Sequence, residues 1–315
     1  MSLQCPASPN HEIIRTRGQG RIPDDLQSDL TIPGRISLQG VEYIDPYHKG
    51  VDRVVTVGAS FLQAQVEVNL GVGADCHGER LPIRWCGVNP DQIILALDVD
   101  TAEEALSWAS RLRSRVGTFK VGLQLYLNAG TAVLLGMQKM GVPVFLDLKF
   151  HDIPNTVAHA VAATARWKPR FLTVHASGGK KMMEAAVDAA APETKVLGVT
   201  LLTSLDERAV TEVGWTGGVG CVVRGLSQLA KVSGLAGVVC SPQEAQSERS
   251  GWGRGAEIVT PGVRPTGFPG DDQARSKTAE EAIRDGASRI VVGRPVLKAS
   301  HPEAILDQML SAPGL

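Results

Sequence analysis

From Asp91 to the end of the chain, apolar runs alternate with amphipathic stretches, and this rhythm limits the fold more than any other feature. The runs are Ile93 to Leu97, Thr118 to Gly122, Pro143 to Leu148, Phe171 to His175, Lys195 to Thr200, Leu235 to Cys240, Glu257 to Thr260 and Arg289 to Val292. Each has strand length and lacks strict alternation, the pattern of strands covered on both faces. Helical spacing follows each one. Thr101 reads as the cap of the first helix, with Glu103 and Glu104 in its first turn, and that helix is expected to reach Arg115. Further helices are expected through Lys139, over Pro154 to Trp167, over Gly179 to Ala190, over Val222 to Val232, from Pro242, over Thr278 to Asp285, and up to Met309. Eight such units in about 225 residues fit a closed (β/α)8 TIM barrel better than an open doubly wound sheet.

Residues 1–88 have a different character: they are rich in Gly, Pro and polar residues and show little helical spacing. Val51 to Val57 and Gln63 to Val72 could form strands there. No chemistry-bearing motif stands out in this part. Two readings fit it: an overlong gene model whose true start is Val88, or an accessory segment. The chain thus divides into an irregular N-terminal extension, residues 1–88, and a barrel domain, residues 89–315.

Composition narrows the function. Hydrophobic residues make up 43% of the 315 and charged residues 21%, as expected of a soluble globular protein with a substantial core. With 32 basic against 33 acidic residues, no global field favours nucleic acid or a membrane surface, so any anion site must be local. No run approaches the roughly 18 apolar residues that a membrane span needs, and no basic-then-apolar leader opens the chain. The five cysteines (Cys5, Cys76, Cys86, Cys221 and Cys240) are scattered without a CxxC pair. Reduced thiols in a cytoplasmic protein are the expectation. Cys76, His77 and Cys86 lack the second close pair of a structural zinc site, so no metal is expected.

In a barrel of this type the active site lies at the C-terminal ends of the strands. Asp98, Lys120, Asp147, Lys149, His175, Thr200, Arg264 and the pair Gly293-Arg294 fall at those ends. Singly, each has a bland reading. An aspartate at a strand end is commonly a helix cap, a lysine can snorkel, and His175 reads as a hydrogen-bonded core residue. Together they are harder to dismiss. The run Asp147-Leu-Lys-Phe-His-Asp152-Ile-Pro-Asn-Thr156 is the most telling. Strand alternation puts Asp147 and Lys149 on one face, with Asp152 in the turn and Thr156 in the first turn of the next helix. Unpaired buried charge costs several kcal/mol, so charges gathered at the end of a buried strand point to catalysis. The loops after the seventh and eighth strands are the recurrent phosphate site of such barrels. Here they offer Arg264, Arg294, the backbone N–H groups of Gly293-Arg294 and a helix N-terminus. The Gly- and Pro-rich segment from Arg264 to Gln273 reads as a lid over a phosphorylated small molecule.

Residues 91–310 resemble the orotidine 5′-phosphate decarboxylase family, in its bacterial branch. The resemblance is carried by Leu97-Asp98, Phe119-Lys-Val-Gly122, the Asp147 to Thr156 run, Leu202-Thr-Ser204, Thr260-Pro-Gly-Val-Arg264, Asp271-Asp-Gln273 and Val292-Gly-Arg294, all in family order. It implies a homodimeric barrel that uses neither metal nor organic cofactor and converts orotidine 5′-monophosphate to UMP. Lys149 would protonate C6 as carbon dioxide leaves, and Asp147 would sit beside the substrate carboxylate. Lys120 and Asp98 would hold the ribose hydroxyls and the charge network. Thr203 would contact the base, and Gln273 the base and phosphate. Arg294 with Gly293 would bind the phosphate, and Arg264 would anchor the lid. Asp152, Ile153 and Thr156 would reach into the partner's site. Loss of carbon dioxide leaves an electron pair in the plane of the ring, so a fixed ammonium must stabilise it and then supply the proton. The rival enzymes are magnesium-dependent sugar-phosphate barrels of the same suprafamily, which share Asp-x-Lys-x-x-Asp but typically carry Glu where Lys120 stands. A catalytically inactive barrel that binds a phosphorylated ligand is the remaining alternative.

Overall fold

The first and last apolar runs lie side by side. In this computed structural model, which describes residues 87–264 and 277–311, β1 (Ile93–Ala96) pairs in parallel with β10 (Arg289–Val292), Ile93 opposite Ile290 and Leu95 opposite Val292. The other barrel strands are β2 (Thr118–Gly122), β3 (Val144–Phe150), β4 (Phe171–His175), β5 (Lys195–Val199), β6 (Gly237–Val239) and β7 (Glu257–Thr260). They close in the order β1-β10-β7-β6-β5-β4-β3-β2, all in parallel. This is the expected (β/α)8 barrel. A separate two-stranded parallel ladder joins β8 (Val263–Arg264) to β9 (Lys277–Thr278).

Alternation along the strands sorts the core into two layers. Ile94, Ala96, Phe145, Phe171, Leu197, Val259 and Val291 fill the barrel interior. Phe145 meets Phe171 edge to face, with ring centroids 5.8 Å apart. Their neighbours Ile93, Leu95, Leu146 and Leu172 point outward, into the larger cluster under the helices. Val88 is buried in that outer cluster too, so the barrel's packing begins at least there.

A charged plug seals the N-terminal end of the barrel. Arg289 donates to Asp91, through both its backbone carbonyl and its carboxylate, the latter at 2.8 Å, and to Glu257 at 3.1 Å. Arg170 holds the same Asp91 carboxylate at 2.6 and 3.0 Å, and Lys195 reaches Glu257 at 2.7 Å. The guanidinium groups of Arg170 and Arg289 both lie over the Phe171 ring, at 5.3 and 5.1 Å.

Four helical differences from the expectations have local causes. The helix expected through Lys139 is two, α2 (Leu123–Ala129) and α3 (Thr131–Lys139), because Gly130 turns the chain at φ +57. α4 (Pro154–Thr164) tightens into a 3-10 turn at Ala165–Trp167. Before α7 (Gly218–Val232), a short α6 (Glu207–Glu212) is capped by Asp206, which accepts from the Ala209 N–H at 2.8 Å. A four-residue α10 (Arg294–Leu297) follows β10 directly. The remaining helices fall close to expectation: α1 (Ala102–Leu112), α5 (Lys180–Ala189), α8 (Ala245–Trp252), α9 (Ala279–Arg284) and α11 (Pro302–Leu310). The expected strands at Val51 to Val57 and Gln63 to Val72, the cysteines Cys5, Cys76 and Cys86, residues 265–276 with Gln273, and all of the 1–88 segment except Gly87 and Val88 lie outside the described residues.

The plug makes a pH prediction. Hydrogen bonds from Arg170, then Arg289, outweigh the partial burial of Asp91 and lower its carboxyl from 3.8 to about 2. A carboxylate depressed in the folded state stabilises it fully above the unfolded value, and that contribution is lost as pH falls through the folded one. Asp91→Asn should therefore cost about 1 kcal/mol at pH 7, a modest figure because the carboxyl is half exposed and screened by solvent. The gap to wild type should shrink between pH 4 and 2 in urea unfolding curves. An unchanged gap across that window would contradict the assignment.

Candidate active site

At the opposite end of the barrel, four strand-end side chains form a line of alternating charge. The Lys149 ammonium sits 2.8 Å from Asp147 Oδ2, and the Lys120 ammonium 3.6 Å from the same oxygen. Lys120 also lies 3.5 Å from Asp98 Oδ1. β3 supplies Asp147 and Lys149, β2 supplies Lys120, and Asp98 follows β1. Asp147 is only 8% exposed. Burial by itself would push its carboxyl up. The charges of Lys120 and Lys149, with hydrogen bonds from Lys149 and Thr173, reverse this and hold it below the ordinary carboxylate range. A buried group thus stays ionised at neutral pH.

Lys149 reaches that position by an unusual backbone. Its φ is +50, in the left-handed region that an L-residue rarely adopts. The β3–β4 register slips over the same stretch, between Leu146 and Phe150. Plain alternation was the reason to expect Asp147 and Lys149 on one face. The two do meet, but across an irregularity in the strand. Backbone held in this way costs about 1–3 kcal/mol and is typical of sites where geometry serves chemistry.

One cavity gathers most of the expected residues. Asp98, Lys120, Asp147, Lys149, Thr203, Arg264, Gly293 and Arg294 all line it. Its floor is apolar, built from Phe145 of the barrel interior and from Val199, Val239 and Val291 near the ends of their strands. Gly293 fits closely there: a Cβ at this position would lie 3.2 Å from the Ala96 Cβ and 3.6 Å from Asp98 Oδ2. A Cβ at Gly122 would fall 2.8 Å from the Lys120 ammonium, so a side chain there would push that ammonium aside. Gly293 also precedes α10 as its N-cap, and Arg294 is that helix's first residue. Arg264, which lines the cavity, pairs with Thr278 in the β8–β9 ladder.

Other expected residues stand elsewhere. Asp152, Ile153 and Thr156 are exposed and do not line the cavity of their own chain. The Asp152 carboxylate accepts from the Ile153 N–H at 2.6 Å. Asp152 thus stands apart from Lys120, Asp147 and Lys149 within one chain. Asp152 follows β3 by two residues, and the chain has already turned outward into α4. His175 is half-buried at the end of β4, with its ring 5.2 Å from that of His151. Burial, then the charges of His151 and Lys149, lower its imidazole pKa against the pull of Asp147. Thr200 donates to the Val239 carbonyl at 3.1 Å and is not part of the cavity wall. Sequence reasoning missed Leu201, which lines the cavity, and Thr173, whose hydroxyl bonds Asp147 at 2.9 Å. For Thr173 the available signal was a lone hydroxyl inside the apolar run Phe171 to His175.

Residues 91–309 match the family described as Orotidine 5′-phosphate decarboxylase / HUMPS family. The chain belongs to this family. Among relatives, the orotidine 5′-phosphate decarboxylase of Anaeromyxobacter dehalogenans is 47% identical over 214 residues, covering 68% of this chain and 94% of that protein. That of Thermobifida fusca is 48% identical over 213 residues, covering 67% and 91%. The crystal structure of the Lactobacillus acidophilus orotidine 5′-phosphate decarboxylase is similar with a TM-score of 0.59 and 35% identity, over 70% of this chain and 99% of that one. The match spans the whole barrel and leaves the N-terminal residues outside it. Among the described residues, no helix is long and apolar enough to cross a membrane.

The left-handed backbone at Lys149 can be tested by stability alone. Lys149→Gly and Lys149→Ala both remove the ammonium, but only glycine adopts a positive φ without strain. The glycine variant should be the more stable of the two by about 1 kcal/mol, against the usual order within a strand. Chemical denaturation of both proteins measures this. Alanine equal to or better than glycine would mean that the strained conformation is not kept.

Proposed function

We infer that this chain decarboxylates orotidine 5′-monophosphate to UMP, using its own side chains and no cofactor. The observation that carries the reading is the line Lys149, Asp147, Lys120, Asp98 in a cavity that Arg264, Gly293 and Arg294 also line. An anionic nucleotide suits such a cavity. Its phosphate lies at Gly293-Arg294, whose backbone N–H groups and guanidinium are the donors that a phosphate needs. Its pyrimidine lies over the apolar floor against Thr203, and its ribose hydroxyls meet Asp98 and Lys120. Gln273 and Arg264 complete the grip as the lid and its base.

The chemistry follows from the charges. The departing carbon dioxide leaves an electron pair in the plane of the ring, where no π-system can take it up. The Lys149 ammonium, fixed by Asp147, stabilises that carbanion and then gives C6 its proton. Asp147 remains ionised despite its burial, so it faces the substrate carboxylate with like charge, a strain relieved as that carboxylate departs. Phosphate contacts remote from the reacting carbon supply the binding energy that holds the nucleotide in this arrangement.

The site is completed by a second copy of the chain. Residues 151–156 form a continuous exposed stretch, and Ile153 is 66% exposed. Such a stretch beside the mouth suits an interface in which Asp152, Ile153 and Thr156 enter the partner's cavity. The enzyme acts on a small phosphorylated molecule in the cytoplasm and has no nucleic-acid or membrane partner.

The alternative is a magnesium-dependent sugar-phosphate enzyme of the same suprafamily. Lys120 favours the nucleotide reading, because an ammonium between Asp98 and Asp147 occupies the place where a divalent cation would otherwise have to sit. Activity that survives EDTA supports the decarboxylase, and activity that disappears with EDTA and returns with magnesium supports the sugar-phosphate enzyme.

Lys149→Ala should fold and bind UMP but lose decarboxylation by about a thousandfold, as expected when a central electrostatic stabiliser is removed. The loss of orotidine monophosphate absorbance reports it directly, and retention of roughly a tenth of wild-type kcat would refute the role. Asp152→Ala and Lys149→Ala proteins, each inactive alone, should regain activity on mixing, since a mixed dimer carries one intact site. No recovery, with subunit exchange demonstrated, would rule out the shared site.

A further inference from the structure

Between Leu146 and Phe150 the third strand advances four residues, while its neighbour β4 advances two, from Leu172 to Val174. Asp147, Leu148 and Lys149 therefore stand opposite a single residue, Thr173. A bulge of this kind disrupts the local ladder and leaves backbone groups to find other partners. Thr173 is fully buried, so water cannot reach the gap. Its hydroxyl makes two bonds there. It accepts from the Lys149 backbone N–H at 2.9 Å and donates to Asp147 Oδ1 at 2.9 Å.

A threonine hydroxyl has one proton to give, and here that proton is committed to the carboxylate. Asp147 is thereby divided between two duties. Its Oδ1 is tied to β4, and its Oδ2 is left to face the ammonium groups of Lys149 and Lys120. The same hydroxyl supplies the partner for the N–H of the one strand residue in the array whose backbone is left-handed.

We propose that Thr173 is the positioning residue of this site: its hydroxyl holds the β3 bulge and aims Asp147 and Lys149 together at the reacting carbon. It touches no substrate and acts only through those two side chains. The inference rests on the decarboxylase reading above. It differs from a packing role, because a methyl group fills the space as well as a hydroxyl but cannot make either bond.

Three variants test it: Thr173→Val, which keeps the shape, Thr173→Ser, which keeps the hydroxyl, and Thr173→Ala. Steady-state decarboxylation is measured on folded protein well below the melting temperature. Misplacement of reacting groups by an ångström can cost about a hundredfold, so Thr173→Val should lower kcat at least ~10-fold while KM moves less than ~3-fold. Thr173→Ser should stay within ~3-fold of wild type on the same argument. A smaller loss in Thr173→Val, a change confined to KM, or an equal loss in Thr173→Ser would overturn the proposal. If Thr173→Val does not fold, Thr173→Ala is judged by the same limits. Failure of the functional reading looks different: wild type itself would then be inactive on orotidine monophosphate.

Discussion

A parallel sheet with helices on its outer face is stable in this chain only because it closes. The pairing of β1 with β10 brings the first strand against the last, and Arg289 holds the join from below through Asp91 and Glu257. Every other arrangement in the molecule depends on that closure. The interior cluster around Phe145 and Phe171 has no solvent face once the ring is complete, and the C-terminal strand ends come to a common rim. Residues as distant in sequence as Asp98 and Arg294 then share a cavity.

The two ends of the barrel use charge in opposite ways. At the N-terminal end, acids and bases are matched into a plug that stacks on Phe171. At the C-terminal end, charges of alternating sign stand in a row along one wall, with Lys149 held against Asp147 from one side only. The first arrangement lowers the energy of the fold. The second keeps Asp147 ionised in a place where burial opposes it, which is useful only if a reaction draws on that charge.

Much of this was legible in the sequence. Eight strands could be located because strands buried on both faces read as plain apolar runs, and polar residues at their ends marked the mouth. The finer features were less visible. Gly130 divides a helical stretch that is otherwise continuous in pattern, and the short α10 has too few residues to show a period. The β3 irregularity is invisible because Asp147 and Lys149 satisfy ordinary alternation on paper, whereas their real meeting depends on a register slip against β4. Thr173 was passed over for a related reason: a hydroxyl within an apolar strand acquires meaning only when its neighbour across the sheet is known.

The left-handed Lys149 also shapes how this sequence can drift. A population of variants released from selection for activity would lose the ammonium early, and among the replacements glycine relieves the backbone that lysine strains. Retired members of such a lineage should therefore carry glycine at this position more often than chemical similarity to lysine would suggest. Its presence in an otherwise intact third-strand motif would be a mark of lost catalysis rather than of a new specificity.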